Sequence, residues 1–212
     1  MKKIFLTLAL VITLTTSVLA QFKPFQFGLK VEPGIGWAKL NSDNLIKEPN
    51  DFSFNWGFVG NFYFVENYGF STGFNIKYID ASYSYNNENQ QIIDCNIKNQ
   101  YLEIPLSLMM RTERIGDLRI TGNIGYGLGI KLNSSDKHID NQGNELMIDN
   151  EFNSLRHALI VKLGVEYYVY KSSCITASLV FNNNFVNIYK NNNNLNHDVM
   201  LNNIGIEIGF LF

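Results

Sequence analysis

Strict alternation of large apolar residues with small or polar ones is the feature that most constrains how this chain can fold. It is clearest in residues 101–131, where two alternating stretches flank a short charged turn. The apolar positions of the first stretch are Leu102, Ile104, Leu106, Leu108 and Met110. Because successive side chains of a β-strand point to opposite faces, this pattern predicts a long hairpin with one apolar face and one polar face.

The same alternation recurs from Phe25 to the C-terminal Phe212 and predicts eight strands. Long polar connections, at residues 41–51, 86–99 and 133–154 among others, alternate with short turns. No segment shows the periodicity of an amphipathic helix. The chain is therefore predicted to form an all-β, up-and-down antiparallel barrel.

Side-chain volume decides which face of this barrel points inward. Roughly forty large side chains occupy the apolar faces, whereas the interior of an eight-stranded barrel is only just wide enough to be filled by side chains. The opposite face is small enough to fit, because it carries Gly34, Gly36, Gly57, Gly125, Gly127, Gly129, Gly164 and Gly209. We therefore predict that the apolar face points outward into lipid, as in a transmembrane β-barrel. A soluble periplasmic barrel is the alternative.

Aromatic residues near the strand ends are expected to form girdles at the two membrane interfaces. At the short-turn end they are Phe25, Phe64, Phe70, Tyr167, Tyr168, Tyr170, Phe210 and Phe212. Towards the long loops they are Trp37, Phe52, Tyr83 and Tyr85. These aromatic residues are predicted to mark the two edges of the membrane-spanning wall.

Residues 1–20 have the organisation of a secretory signal peptide. Lys2 and Lys3 precede an apolar stretch, and Ala20 ends a small-residue cleavage site. An N-terminal transmembrane anchor is the alternative, although the segment is short and rich in threonine. Cleavage would leave one barrel domain over residues 21–212, located in the outer membrane.

Charge and cysteine content narrow the classes of function. Without Lys2 and Lys3 the chain has 15 basic and 19 acidic residues, a net charge of −4. This balance does not favour nucleic-acid binding, which needs a basic surface. Cys95 and Cys174 are expected at opposite ends of the barrel, too far apart for a disulfide, and are predicted to be unpaired thiols.

The segment Tyr101–Leu106, with the sequence YLEIPL, followed by a glycine-rich strand, resembles outer-membrane β-barrel proteins of Bacteroidetes, including the PorT-like family. The resemblance implies the barrel fold and an outer-membrane location, and links the chain to protein secretion. The aromatic C-terminus resembles the signal that the barrel-assembly machinery reads. Pro105 removes a hydrogen bond from its ladder, so a bulge is expected there.

The inward face is predicted to carry a network of charges. Its members are Lys30, Glu32, Lys77, Glu103, Arg119, Lys131, Lys162, Glu166 and Glu207. Buried charges need partners, so we expect ion pairs that plug the lumen, with Lys77 opposite Glu103. The alternative is a path for protons or ions.

Histidines and acidic residues in the long loops are the remaining candidates for chemistry. His138 lies near Ser134 and Asp136, and His197 precedes Asp198. Adjacency in a polar loop does not fix a catalytic geometry, and residues 140–145 lack a glycine at the sixth position, where an EF-hand loop needs it. We expect solvated loop residues here, with no catalytic, cofactor-binding or metal-binding residues.

The sequence therefore predicts a monomeric, non-enzymatic outer-membrane barrel that has a structural or partner-binding role. Its expected partners are membrane lipid and lipopolysaccharide, the barrel-assembly machinery during insertion, and a protein not specified by the sequence. A narrow pore for small solutes or ions and an enzyme with its site in the loops are the alternatives.

Overall fold

Alternating residues form strands along almost the whole chain in the computed structural model. It describes residues 24–41, 45–86, 90–148, 150–170, 172–190 and 198–212. The strands are β1 (Phe25–Leu40), β2 (Leu45–Lys47), β3 (Asp51–Val65), β4 (Tyr68–Asn86), β5 (Ile92–Arg111), β6 (Leu118–Asp140), β7 (Glu145–Leu146), β8 (Leu155–Tyr168), β9 (Cys174–Asn184) and β10 (Val199–Leu211). The predicted signal peptide lies outside the described residues.

Eight of these strands close into an antiparallel barrel, which confirms the predicted fold. Neighbouring long strands pair in chain order, and β1 pairs with β10 to close the seam. The short β2 and β7 lie outside this ring and extend the sheet beside β4 and β6. No helix among the described residues is long and apolar enough to cross a membrane.

Large apolar side chains cover the outside of the barrel, as the volume argument predicts. Leu106, Leu163 and Phe74 are 60%, 64% and 53% exposed. Inward neighbours such as Asn75 and Ser107 are buried. We call the zone with this arrangement the lipid band. It comprises residues 25–37, 52–65, 68–78, 101–111, 118–132, 155–168, 174–181 and 204–211.

Three strands continue beyond the lipid band at the end of the barrel that carries the long loops. These strand ends are residues 79–86, 92–99 and 133–140, and we call them the distal extension. Residues 92–99 of the first expected loop and residues 133–140 of the second are therefore strand, and the extent predicted for both loops, 86–99 and 133–154, was wrong. At about 3.4 Å per residue, eight residues add about 27 Å along a strand.

The sidedness of the alternation inverts in the distal extension. In β4, the inward residues Ile79, Ala81 and Tyr83 are apolar and at most 1% exposed. The outward residues between them, Asp80 and Ser82, are polar and half-buried. This part of the wall thus has a polar, water-facing outer side and an apolar inner side.

The inversion corrects part of the predicted aromatic girdles. Tyr83 and Tyr85 point inward and are 0% and 4% exposed, because they lie beyond the point where water replaces lipid outside the wall. Tyr168, at the short-turn end, also points inward, where its hydroxyl donates to Glu166 at 2.8 Å. The girdle residues Phe64, Phe70 and Phe210 face outward as predicted.

The bulge expected at Pro105 is not present at that residue. The β4–β5 ladder is interrupted beside Pro105, but its register is the same on both sides. A bulge lies instead in the β5–β6 ladder, at Gln100 and Tyr101. Below it, odd-numbered residues of β6 such as Arg119 face inward; above it, even-numbered ones such as His138 do.

Candidate functional site

Buried ion pairs fill the lumen within the lipid band. In the middle, Glu207 lies between two lysines: its Oε2 is 2.7 Å from Lys30 Nζ and 2.7 Å from Lys162 Nζ. All three side chains are at most 10% exposed. Two ammonium groups on one carboxylate hold three strands together across the barrel.

A second layer of charges lies nearer the distal extension. Glu103 accepts from Lys77 Nζ at 3.1 Å and from Arg156 Nη1 at 2.7 Å. All three side chains are at most 2% exposed. Gly127 and Gly129 make room for them, since an added Cβ would lie 3.3 Å from Glu103 Oε2 and 3.0 Å from Arg156 Cβ respectively.

The pairing of Lys77 with Glu103 follows a diagonal of the sheet. Asn75, not Lys77, lies directly opposite Glu103 in the register. The lysine side chain is long enough to reach the diagonal position. Arg156 was absent from the predicted network because it lies at the start of β8, where the alternation begins. Its even residue number, like those of Lys162 and Glu166, indicates that its side chain points inward.

Amide groups stabilise Glu32, which lies between these two layers. Its carboxylate accepts from Asn55 Nδ2 at 2.9 Å and from Asn203 Nδ2 at 3.3 Å. Lys131, in contrast, is only half-buried and donates to the backbone carbonyl of Phe152 at 3.1 Å.

Cations and tyrosines close the short-turn end. Arg119 Nη2 lies 2.9 Å from Glu66 Oε1, and Arg111 Nη1 lies 3.9 Å from Glu166 Oε2. The Arg111 guanidinium stacks on the Tyr63 ring, 3.6 Å from its centre. Glu66 and Arg111 lie at the strand ends and were not among the predicted network residues.

A small cavity separates the central layer from the short-turn end. It has a volume of about 30 Å³ and is lined by Lys30, Asn61, Ser71, Thr121 and Glu166, among others. A cavity of this size holds only a few water molecules. Within the described residues, the lumen is thus packed with side chains rather than open.

An apolar cluster, which we call the distal core, fills the interior of the distal extension. Its members are Ala38, Ile79, Ala81, Tyr83, Tyr85, Ile93, Cys95, Ile97, Phe152, Ile188, Tyr189, Val199 and Leu201. They come from four barrel strands and from the connections before β8 and after β9. The distal core therefore covers the long-loop end of the lumen.

His138 lies in this core, and the prediction that it is a solvated loop residue was wrong. It is 1% exposed because β6 continues to Asp140 and the bulge turns its side chain inward. Its Nε2 lies 2.9 Å from Asp136 Oδ2 and 3.9 Å from Cys95 Sγ, and its Nδ1 lies 3.2 Å from Tyr85 Oη. His197 lies outside the described residues.

The polar groups around His138 favour an ionised carboxylate and a protonated thiol. Burial raises the pKa of Asp136, but hydrogen bonds from His138 and Asn150 outweigh burial and bring this pKa below its usual value. Burial raises the pKa of the Cys95 thiol to about 12. Cys95, Asp136 and His138 are residue types that bind metals, and their ligand atoms all lie within 4.8 Å of one another.

Cys174 lies at the opposite end of the barrel from Cys95. It packs with Tyr168 and Leu211 at the short-turn end, whereas Cys95 packs in the distal core. Both thiols are buried and free, which confirms the prediction that they do not form a disulfide.

Comparison with protein families gives one match over nearly the whole chain. The profile described as "Outer membrane protein beta-barrel domain" matches residues 6–212. A comparison with curated proteins finds no significant match.

Solved structures with a similar chain path include two bacterial proteins. OprG from Pseudomonas aeruginosa is 11% identical, with a TM-score of 0.47, and the match covers 89% of this chain and 94% of OprG. Ail, the attachment invasion locus protein of Yersinia pestis, in complex with the heparin analogue sucrose octasulfate, is 15% identical, with a TM-score of 0.43. That match covers 90% of this chain and 100% of Ail.

Proposed function

Since the chain belongs to the family of outer membrane protein beta-barrel domains and is thus an outer-membrane protein, we propose that it is a closed, non-enzymatic barrel that binds a partner through its distal extension. The observation that carries this proposal is the distal core. It lies across the lumen above two layers of buried ion pairs.

The closed lumen supports a scaffold rather than a pore. An ion that entered from the long loops would have to pass the distal core, which is apolar, and then break the contacts of Glu103 with Lys77 and Arg156. Leaving a buried charge without its partner costs about 3–5 kcal/mol. The structure thus favours the plug over the alternative of a narrow pore.

The distal extension supports partner binding because it is a rigid surface on an otherwise lipid-covered molecule. In outer-membrane barrels the long loops face outside and the short turns face the periplasm. In this orientation the outward residues Asp94, Asn96 and Lys98 would be displayed above the membrane, on paired strands rather than on loops. A surface held by strands loses little conformational entropy on binding.

The relationship to the PorT-like family, and a link to protein secretion, belong to this proposal. The segment that carries the resemblance contributes Tyr101, Glu103 and Pro105 to the lumen, where Glu103 joins the ion-pair layer. Its alternate residues, such as Ile104, face lipid. The motif thus supports the closed barrel directly. A role in protein secretion would depend on the partner that the distal extension binds.

Loop-sited catalysis is the less favoured alternative. His138, the histidine closest in sequence to a serine and aspartates, is 1% exposed and packs against Tyr85. A substrate could not reach it without opening the distal core.

Conductance in planar bilayers tests the closed lumen. We expect no channel steps from the purified barrel, under conditions where an inserted porin gives them. A stable open channel would overturn the closed barrel and support the narrow pore.

Site-specific photo-crosslinking in intact cells tests partner binding. A photoreactive residue at Lys98 faces water on β5, and one at Leu106 faces lipid on the same strand. We expect a discrete crosslinked species from position 98 that position 106 does not give. Equal or absent crosslinking at both positions would contradict a partner on the distal extension.

A further inference from the structure

The cluster of polar groups in the distal core has the composition of a metal site. We propose that Cys95, Asp136 and His138, completed by Asn150, bind one zinc ion or a similar divalent transition-metal ion. This goes beyond the proposed scaffold function and departs from the sequence-based expectation that the chain has no metal site.

The spacing of the ligand atoms is close to that of a tetrahedral zinc site. His138 Nε2 lies 3.9 Å from Cys95 Sγ and 2.9 Å from Asp136 Oδ2. With zinc–sulfur distances of about 2.3 Å and zinc–nitrogen or zinc–oxygen distances of about 2.0 Å, tetrahedral angles give separations of about 3.5 Å and about 3.3 Å. For these two pairs, shifts of a few tenths of an ångström would give the separations of a zinc site, and all three ligand atoms lie within 4.8 Å of one another.

The ligand types select a borderline-soft cation. A thiolate and an imidazole favour zinc and its neighbours over magnesium and calcium, which take oxygen ligands. On binding, the Cys95 thiol would lose its proton to solvent and coordinate the ion as a thiolate. His138 would coordinate the ion through the lone pair of Nε2.

Asn150 supplies the fourth ligand. It is 8% exposed, and its Oδ1 has no hydrogen-bond partner within the described part of the chain. Its Nδ2 lies 2.6 Å from Asp136 Oδ2 and 3.2 Å from His138 Nε2. A half-turn of the amide group exchanges its Nδ2 and Oδ1 atoms. Oδ1 can therefore take the position that Nδ2 occupies beside Asp136 and His138.

Two tyrosine hydroxyls orient the histidine and the carboxylate, as hydrogen-bonding partners of metal ligands do. Tyr85 Oη lies 3.2 Å from His138 Nδ1 and can accept a hydrogen bond from Nδ1–H, which leaves the lone pair of Nε2 for the ion. The Tyr189 hydroxyl lies 3.1 Å from Asp136 Oδ2 and orients the carboxylate.

The bulge in the β5–β6 ladder is an independent feature that points to this site. Without its one-residue shift, the inward positions of β6 would stay odd-numbered, and Lys137 would take the place of Asp136 and His138. Bulges commonly re-aim side chains next to functional sites. Here the bulge brings both ligands of β6 to face Cys95.

A path for the ion leads to Asp136. A surface pocket of about 490 Å³ is lined by Asp136, Glu145, Leu146, Met147 and Ile148. Its two carboxylates would attract a cation, and the Asp136 side chain, 7% exposed, lies between this pocket and the buried ligands.

Cobalt(II) titration of the purified barrel, prepared without a histidine tag, tests the proposal. We expect one Co²⁺ per chain, a thiolate-to-cobalt charge-transfer band, and displacement of cobalt by zinc. The Cys95→Ser variant should lose the band and bind zinc at least about 100-fold more weakly, since loss of a group that only hydrogen-bonds to a ligand already costs about 10–100-fold. Tyr85→Phe should weaken zinc binding about 10-fold while keeping the band.

Two matched variants separate the site from general effects. Cys174→Ser removes the other buried cysteine, and His157→Gln removes a histidine on the outward face of the barrel wall; both should bind cobalt like the unmodified protein. Circular dichroism and the heat-dependent gel mobility of the folded barrel show whether each variant is folded. No stoichiometric cobalt binding by the unmodified protein would overturn the proposal, as would a charge-transfer band that survives in Cys95→Ser.

Discussion

The lipid band and the distal extension are built from the same continuous strands, yet their two faces have opposite character. In β5, the outward Leu106 is apolar and the inward Glu103 is charged within the band. Farther along the same strand, the outward Lys98 is charged and the inward Ile97 is apolar. The β4–β5 pairing runs through both regions in one register, so the change of outer solvent from lipid to water accounts for the difference along β5.

The comparison teaches that period-2 alternation defines two faces but does not say which one is inside. In the band, lipid tolerates the apolar face, and the lumen holds the charges in pairs. In the extension, water tolerates the polar face, and the apolar residues form a conventional hydrophobic core. Substitutions at equivalent positions in the two regions should therefore have different consequences.

Removing a buried lumen charge should produce the largest effect. Glu103→Ala leaves Lys77 and Arg156 without their shared carboxylate and should lower the free energy of unfolding by about 3–5 kcal/mol. Urea unfolding of the barrel in lipid vesicles measures this change. Glu151→Ala, which breaks the exposed contact with Lys190 at the long-loop end, is the matched control and should change little. Similar losses in both variants would contradict the difference between the regions.

Truncating an apolar side chain should separate the inner and outer faces of β5. Ile97→Ala opens a cavity in the distal core and should cost about 2–5 kcal/mol. Ile104→Ala, at a lipid-facing position that is 40% exposed, leaves no cavity and should cost clearly less. The same unfolding experiment compares the two variants, and an equal cost would mean that the distal core is loosely packed.

Introducing lysine on the outward face should locate the edge of the lipid. Leu106→Lys places a charge in the band and should cost about 2–4 kcal/mol if this position lies near the middle of the bilayer. Ile92→Lys makes the same kind of change on the outward face of the extension and should alter stability by about 0.5 kcal/mol or less. If both variants were equally destabilised, the membrane would extend over residues that we assign to water.

The barrel, its outward apolar face and the charged lumen could be predicted because volume and periodicity constrain them together. Few arrangements place so many large side chains on an eight-stranded wall, and inward charges such as Lys30 and Glu207 then need partners. The diagonal reach of Lys77 could not be predicted to the residue, since it depends on the strand register.

The distal extension was missed because its composition is typical of loops. Asn, Asp and Ser alternate with Ile, Ala and Tyr in residues 79–86, and these polar residues obscured the period-2 alternation of a strand. The signal was the parity: Ile79 and Tyr83 continue the inward positions of Lys77. His138 could not be placed from sequence, because the bulge that turns it inward has no clear sequence signature.

The distal core also has a consequence for the seam where the first and last strands meet. Ala38 of β1 and Leu201 of β10 pair across this seam, and both are buried in the core. Lateral separation of the two strands would have to unpack the core as well as break the ladder. The distal core thus holds β1 and β10 together. While it stays packed, the barrel cannot release a lipid or a peptide sideways through this seam.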